Sequence, residues 1–405
     1  MTQSRAATVD GSCDQRFGLV REEFERSFAE RGEVGASVCV TVEGRTVVDL
    51  WGGVADTASG RPWQRDTLTH VWSNTKGATA LCLHVLIDRG EVALDAPVSR
   101  YWPEFAAAGK DGVTVRQLLA HQAGLAAVRK PLPAGALYDW ELMTTSLAAE
   151  TPFWEPGTRN GYHALTFGFL VGELVRRVSG HSLGTFFRAE VATPLGIDFW
   201  IGLPEQDEER VAPVVPPAPD PATFSAFERL AFGDPTSLPG LIFTNSGGYM
   251  MPGECDTRAA HVAEMGAVGG LTNGRGLAGM YAPLANGGGP LVSETAVGRM
   301  GAVASATSVD ATLLAPTRFA LGFVKSIDNR ALPLVNGSVI LSEPAFGHTG
   351  MGGSIGFCDP VARLSFGYAM NVMGAGMGLN ERGQRLVDAM YRSLGYQGTE
   401  SGAWA

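Results

Sequence analysis

The 405-residue sequence predicts an α/β (α+β) protein: one antiparallel sheet built from both ends of the chain and flanked by helices, with a mostly helical lobe inserted between them. Three observations predict it. β-Branched runs flank a short turn near the N-terminus, strand patterns return beyond Pro316, and the interval between reads as helical and irregular. The expected division is a sheet domain of residues 1–90 and 316–405 and a helical domain of 91–315, with an irregular, lid-like segment at about 205–264. A cleft between sheet and lobe is the natural place for a site.

From Asp14 to about Gly32, Phe17, Val20, Phe24 and Phe28 recur at helical spacing among acids and arginines, which predicts an amphipathic helix. EVGASVCVTVEGRTVVDLWGG carries two β-branched runs around Glu43-Gly44-Arg45, the pattern of a hairpin. VWSNTKGATALCLHVLIDRG follows, a helix apolar on nearly every side and therefore buried on nearly every side. WEPGTRNGYHALTFGFLVGELVRRVSG predicts a helix from Tyr162, with Ala164, Gly168, Val171, Val175 and Val178 on one face and Glu173 opposite. VAPVVPPAPDPATF is too rich in proline for regular structure and is expected to wrap a surface or form part of a lid. Strand patterns return in RFALGFVKS, SVILSE, SIGFCD and RLSFGYAMN, and a last helix runs from about Asn380 to Leu394.

Composition excludes several classes of function. With 45% hydrophobic and 18% charged residues the chain reads as an ordinary soluble globular protein. Its net charge of -10 and the absence of a dense Lys/Arg run argue against a nucleic-acid partner. The first residues hold no apolar stretch long enough for a signal peptide, and TFGFLVGELV is interrupted by Glu173, so neither export nor a membrane span is expected. The five cysteines are scattered without a C-x-x-C pair, which predicts reduced thiols in a cytoplasmic protein. No histidine and carboxylate spacing points to a metal.

Lysine occurs at four positions, and one of them, Lys76, stands three residues after Ser73 as the only charged residue before Asp88. Residues three apart share a helix face, so the amine can reach the hydroxyl. Desolvation and the positive end of the helix dipole both disfavour the ammonium. A shift of about three units, roughly 4 kcal/mol, would leave half the amine neutral at pH 7 and able to take the serine proton. Ser73 then becomes a nucleophile.

Two further segments supply partners. Tyr162 would stand at the head of its helix, where a phenol beside the lysine can pass a proton to a leaving group; the alternative for a lone tyrosine is a half-buried ring with a satisfied hydroxyl. His348-Thr349-Gly350 precedes a glycine-rich approach to two strands, and the main-chain N–H of Met351 could join that of Ser73 in binding an oxyanion. A histidine in such a loop is otherwise structural.

Ser73-x-x-Lys76, Tyr162 and His348-Thr349-Gly350, in that order, resemble the three signature motifs of the class C β-lactamase and penicillin-recognising superfamily, and in particular its esterase branch, the family VIII carboxylesterases. RGEVALDAPVSRYWPEF and VTVRQLLAHQAGL are similar to the passage that follows the nucleophile helix in these proteins. The resemblance implies a β-lactamase-like fold and acyl-enzyme chemistry on Ser73, without metal or cofactor. The implied substrate is a small-molecule ester, with Ser73, Lys76, Tyr162 and His348 as the catalytic set, Ser73 and Met351 as the oxyanion pair, and Gly350, Ala164 and Val128 in contact with substrate. An acyltransferase that resolves the same intermediate with an amine or alcohol is the alternative.

The chain departs from the β-lactamase pattern at two places. Tyr162-His163-Ala164 ends in alanine where those enzymes carry asparagine, and the third triplet begins with His348 where they carry lysine. A donor for an amide side chain and a fixed positive charge for a carboxylate are thereby lost or weakened, which favours uncharged esters over β-lactams and leaves room for weak lactam cleavage. Gly352-Gly353-Ser354-Ile355-Gly356 matches G-x-S-x-G, but a strand pattern follows it, so Ser354 is expected to be structural. His121 is expected to be a buried, hydrogen-bonded histidine. Leu238, Leu241, Ile242, Phe243, Tyr249, Met250 and Met251 are expected to line an acyl pocket or to pack in the core, and EQDEER to be solvated surface.

Overall fold

The two β-branched runs near the N-terminus become neighbouring strands of a ten-stranded antiparallel sheet in the computed structural model, which describes residues 8–217, 220–333, 337–376, 378–399 and 402–405. In chain order this sheet begins with β1 (Val9–Cys13), β2 (Gly35–Val42), β3 (Arg45–Asp56) and β4 (Arg61–Pro62). A second, four-stranded sheet takes β5 (Leu68–His70), β6 (Trp200–Ile201), β7 (Val211–Ala212) and β8 (Gly270–Thr272). The first sheet resumes with β9 (Ser305–Thr307), β10 (Thr317–Phe319), β11 (Val324–Lys325), β12 (Phe346–Thr349), β13 (Ile355–Asp359) and β14 (Leu364–Met370). Its order is β1-β3-β2-β14-β13-β12-β11-β10-β9, with β4 beside β3. The two ends of the chain meet where β2 pairs with β14, Val38 opposite Tyr368 and Val40 opposite Phe366.

Glu43 and Gly44 close the β2-β3 hairpin with φ of 50° and 77°, a two-residue left-handed turn whose twist suits the strands it joins. Helices Gly18–Glu30 and Glu381–Ser393 cover one face of the sheet, setting Val20, Phe24, Leu386 and Met390 in one core with Val38, Val40, Leu364 and Phe366. Helix Gly274–Ala285 covers the other face. It comes so close that a Cβ on Gly367 would stand 2.2 Å from the Gly274 carbonyl oxygen, so only glycine fits there. Beyond it lies the larger core, in which helices Asn74–Asp88 and Thr166–Ser179 pack side by side.

Four local expectations need correction. Tyr162 does not head a helix, since Thr166–Ser179 begins four residues later and Tyr162 sits in the preceding loop. Glu173 is buried, accepting from Trp140 Nε1 at 2.7 Å and pairing with Arg176 and Arg177, so that face of the helix packs inward around a neutralised acid. RFALGFVKS is two short strands, β10 and β11, split by a turn at Gly322 with φ of 87°. SVILSE makes only isolated bridges at Val339 and Ser342. The interval 91–315 also gives the sheet layer more than a helical lobe would: β9 extends the sheet and Gly274–Ala285 covers it. Among the described residues no helix is long and apolar enough to cross a membrane.

Candidate active site

β5 delivers the chain to the head of helix Asn74–Asp88, with Ser73 at its N-cap. Trp72, immediately before, has φ of 49°. A bulky residue in that region is a genuine outlier, strained by about 1–3 kcal/mol and tolerated only where the surroundings fix it. They do so here. Trp72 bridges Gly269, its ring lies 4.4 Å from that of His70, and the Tyr249 hydroxyl bonds His70 Nε2 at 3.0 Å.

One turn into the helix, Lys76 is 0% exposed and its Nζ lies 3.0 Å from Ser73 Oγ. Nζ also donates to the carbonyls of Ala164 at 2.7 Å and Ala267 at 3.0 Å, and it stands 4.7 Å from the centre of the Tyr162 ring. Burial pushes its pKa well below the ordinary lysine value, and among the described residues no carboxylate opposes that shift. The Tyr162 phenol lies beside Ser73, and burial drives its pKa up, so it is a protonated phenol at neutral pH. The structure therefore brings Ser73, Lys76 and Tyr162 into mutual contact.

His348 is not in a loop but on β12, buried, with Nδ1 2.8 Å from the Thr349 carbonyl oxygen. That contact puts the proton on Nδ1 and leaves Nε2 as an acceptor. Burial and the neighbouring Lys76 lower its pKa to about 3, so it carries no charge at pH 7. Its ring centre is 6.2 Å from that of Tyr162, and no hydrogen bond joins the two among the described residues.

A small cavity is lined by Ser73, Met351 and Ala164 together with Trp72, Leu165, Ile242, Phe243, Met250 and Val268. Of the apolar group between Leu238 and Met251, then, three members face this cavity, while Tyr249 is buried against His70 and Met251 is 66% exposed. Gly350 is pressed against the nucleophile turn, where a Cβ would lie 2.3 Å from the Val71 carbonyl oxygen. Val128 lines neither this cavity nor the larger one beside Tyr162; it sits in the core with its carbonyl held by Asn245 at 2.8 Å.

Ser354 is 0% exposed, donates to the Val71 carbonyl at 3.3 Å, accepts from Asn74 Nδ2 at 2.9 Å, and leads into strand β13 rather than a helix. His121 is buried, with Nδ1 accepting the His163 N–H at 3.1 Å. EQDEER is less solvated than expected, since Glu208 pairs with Arg258 and His261, and Asp207 with Arg210. The five cysteines are free, and no metal-ligating cluster occurs among the described residues.

Two residues of the site have no sequence signature. Asn74 ties the nucleophile turn to β13, its Oδ1 accepting the Gly356 N–H at 2.8 Å; its only signal is its place next to Ser73. Asp310 accepts the main-chain N–H of Tyr162 at 3.0 Å and the Thr317 hydroxyl at 3.0 Å, and nothing in VDATLLAP marks it.

Residues 20–390 match the family model described as beta-lactamase. The esterase/beta-lactamase LipL of Mycobacterium tuberculosis (strain ATCC 25618 / H37Rv) is 36% identical over 372 residues, 90% of this chain and 83% of that protein. Among solved structures, a family VIII carboxylesterase is 39% identical, with a TM-score of 0.83 over 95% of this chain and 100% of that one. A penicillin-binding protein homolog from Caulobacter crescentus is 34% identical, with a TM-score of 0.81 over 95% of this chain and 100% of its own. Motif order, sheet topology and these likenesses agree, and the chain belongs to the beta-lactamase family.

Proposed function

We propose that the protein is a serine hydrolase of carboxylic esters that works through a Ser73 acyl-enzyme. The observation that carries this reading is the Ser73 hydroxyl held between a buried lysine amine at 3.0 Å and a buried tyrosine phenol. A neutral amine has two N–H groups and one lone pair. The carbonyls of Ala164 and Ala267 take the two N–H groups, which aims the lone pair at the Ser73 proton.

As Ser73 Oγ bonds to the ester carbonyl carbon, its proton passes to Lys76, with Tyr162 in contact with both. The oxyanion is received by the main-chain N–H groups of Ser73 and Met351, whose residues line one cavity. Tyr162 gives its proton to the departing alcohol and recovers one from Lys76. Water, deprotonated by the same pair, then releases the acid. His348 faces the substrate as a neutral acceptor, and Ala164 offers only its methyl group, so an uncharged ester suits the site better than an anionic lactam. Free cysteines and a net charge of -10 fit a cytoplasmic enzyme of small molecules.

Incubation with p-nitrophenyl acetate and with a cephalosporin, followed by peptide mass mapping, tests the reading. Rapid ester turnover with an acetyl adduct on the Ser73 peptide, abolished in Ser73→Ala, is the expected result. Turnover that survives Ser73→Ala rules it out, and an adduct discharged only by added amine or alcohol assigns a transferase instead.

A further inference from the structure

Two cavities flank the reacting groups, and they differ in size and in which groups they hold. The smaller contains Ser73 and Met351. The larger contains Tyr162 and His348 and neither member of the oxyanion pair. On the ester-hydrolase reading, on which this inference rests, the two halves of the substrate leave the carbonyl carbon in opposite directions. The acyl half must lie where Ser73 and Met351 hold the carbonyl, and the alcohol half must lie where the Tyr162 phenol can protonate its oxygen.

The larger cavity is also less polar than its residue names imply. Thr317 donates to Asp310, the Asn329 amide donates to the carbonyls of Pro316 and Gly337, Arg318 is paired with Glu343, and Ser225 caps the helix that follows it. Those polar groups are already satisfied within the protein. What they leave facing the cavity is an apolar wall that includes Phe227, Leu313, Phe319, Val324 and Val339, with His348 also among the lining residues. Helices Ala226–Gly233 and Leu238–Thr244 form a partition between the cavities: Phe227 lines the larger, Ile242 and Phe243 the smaller, and the Phe227 and Phe243 rings meet at 5.6 Å.

We infer that the alcohol half of the substrate occupies the larger cavity, and that the ester this enzyme prefers joins a compact acyl group to a bulky, uncharged, apolar alcohol. Leu313, partly exposed on the cavity wall and outside the proton-transfer set, sets how large that alcohol can be.

Two ester series separate the halves. Ethyl, cyclohexylmethyl and naphthylethyl acetates vary the alcohol among leaving groups of similar basicity, and ethyl acetate, hexanoate and decanoate vary the acyl chain. The expected kcat/KM rises at least about tenfold along the first series and falls at least about tenfold along the second. Leu313→Trp, its fold checked by thermal unfolding, should lower naphthylethyl acetate turnover about tenfold more than it lowers ethyl acetate turnover. A flat or reversed order in the two wild-type series overturns the inference, as does a Leu313→Trp loss equal for all acetates. Mapping of the p-nitrophenyl acetate adduct keeps the failures apart: no adduct on Ser73 removes the hydrolase reading and this inference with it, whereas an adduct with the wrong series order removes this inference alone.

Discussion

Asp310 holds the main-chain N–H of Tyr162 at 3.0 Å from a fully buried carboxylate that has no cation beside it among the described residues. The same carboxylate accepts the N–H groups of Thr312 and Leu313 at 2.8 and 2.9 Å, so one side chain fixes the loop on which the phenol stands. Asp310→Ala would leave those donors unpaired and should cost about 2–4 kcal/mol in urea unfolding, with a fall in kcat. Asp310→Asn keeps the oxygen that takes the three N–H groups and should restore most of both. An alanine variant as stable and active as wild type would show that the carboxylate fixes nothing.

Lys76 enters the folded state with its pKa pushed down by burial. Unfolding therefore takes up a proton at any pH between that lowered value and about 10.4, so stability rises with pH through the window, and protonation limits activity on its acid side. Lys76→Met removes this uptake. Its unfolding free energy should climb less steeply between pH 7 and 9, by up to about 1.4 kcal/mol per pH unit, and ester turnover should fall at least about 10²-fold.

Tyr162→Phe deletes the phenol while keeping the ring, which stacks on Phe319 at 5.9 Å and 12°. Turnover should drop by about 10²–10⁴-fold with near-wild-type thermal stability. A comparable loss of stability would instead mark the hydroxyl as structural.

Ser354→Ala removes two hydrogen bonds inside the fold and no reacting group. It should destabilise by about 0.5–1.5 kcal/mol and leave kcat/KM within about twofold. Loss of activity in a folded Ser354→Ala protein would move the nucleophile.

Five of the seven histidines, His70, His84, His121, His163 and His348, are buried with pKa values depressed chiefly by desolvation, to about 3 for His70 and His348 and about 4 for His84 and His163. Each gains a proton on unfolding once the pH drops below about 6.5. Stability should hence fall steeply from pH 6.5 towards 4, and urea unfolding across that range should show more than one proton taken up. Because His348 stays neutral throughout, the acid limb of kcat/KM should keep its midpoint in His348→Gln.

The sequence carried much of this architecture because its signals were local and periodic. Phe17, Val20 and Phe24 mark one helix face, and β-branched residues mark β2 and β3 whatever they pack against. The serine and lysine were legible for the same reason, since their spacing is one helical turn. Apolar spacing extends the helix backward over Tyr162, which the structure sets in a loop fixed by Asp310, a residue 148 positions away. Periodicity puts Glu173 opposite the apolar face of its helix but does not reveal the arginines that neutralise it from that same helix and let it be buried. The strain at Trp72 had no signal at all: tryptophan is ill suited to a left-handed φ, and contacts set by tertiary packing, the ring of His70 and the bridge to Gly269 among them, hold it there.

The seam between β2 and β14 has a cost in time. Val38 pairs with Leu50 as soon as the hairpin is made, but its partner on the other side, Tyr368, comes 330 residues later, so on the ribosome that side of the first strands waits for most of the message to be read, on the order of tens of seconds at ordinary elongation rates. During that interval an apolar hairpin has one open edge, so the nascent protein, more than the finished one, is exposed to edge-to-edge association.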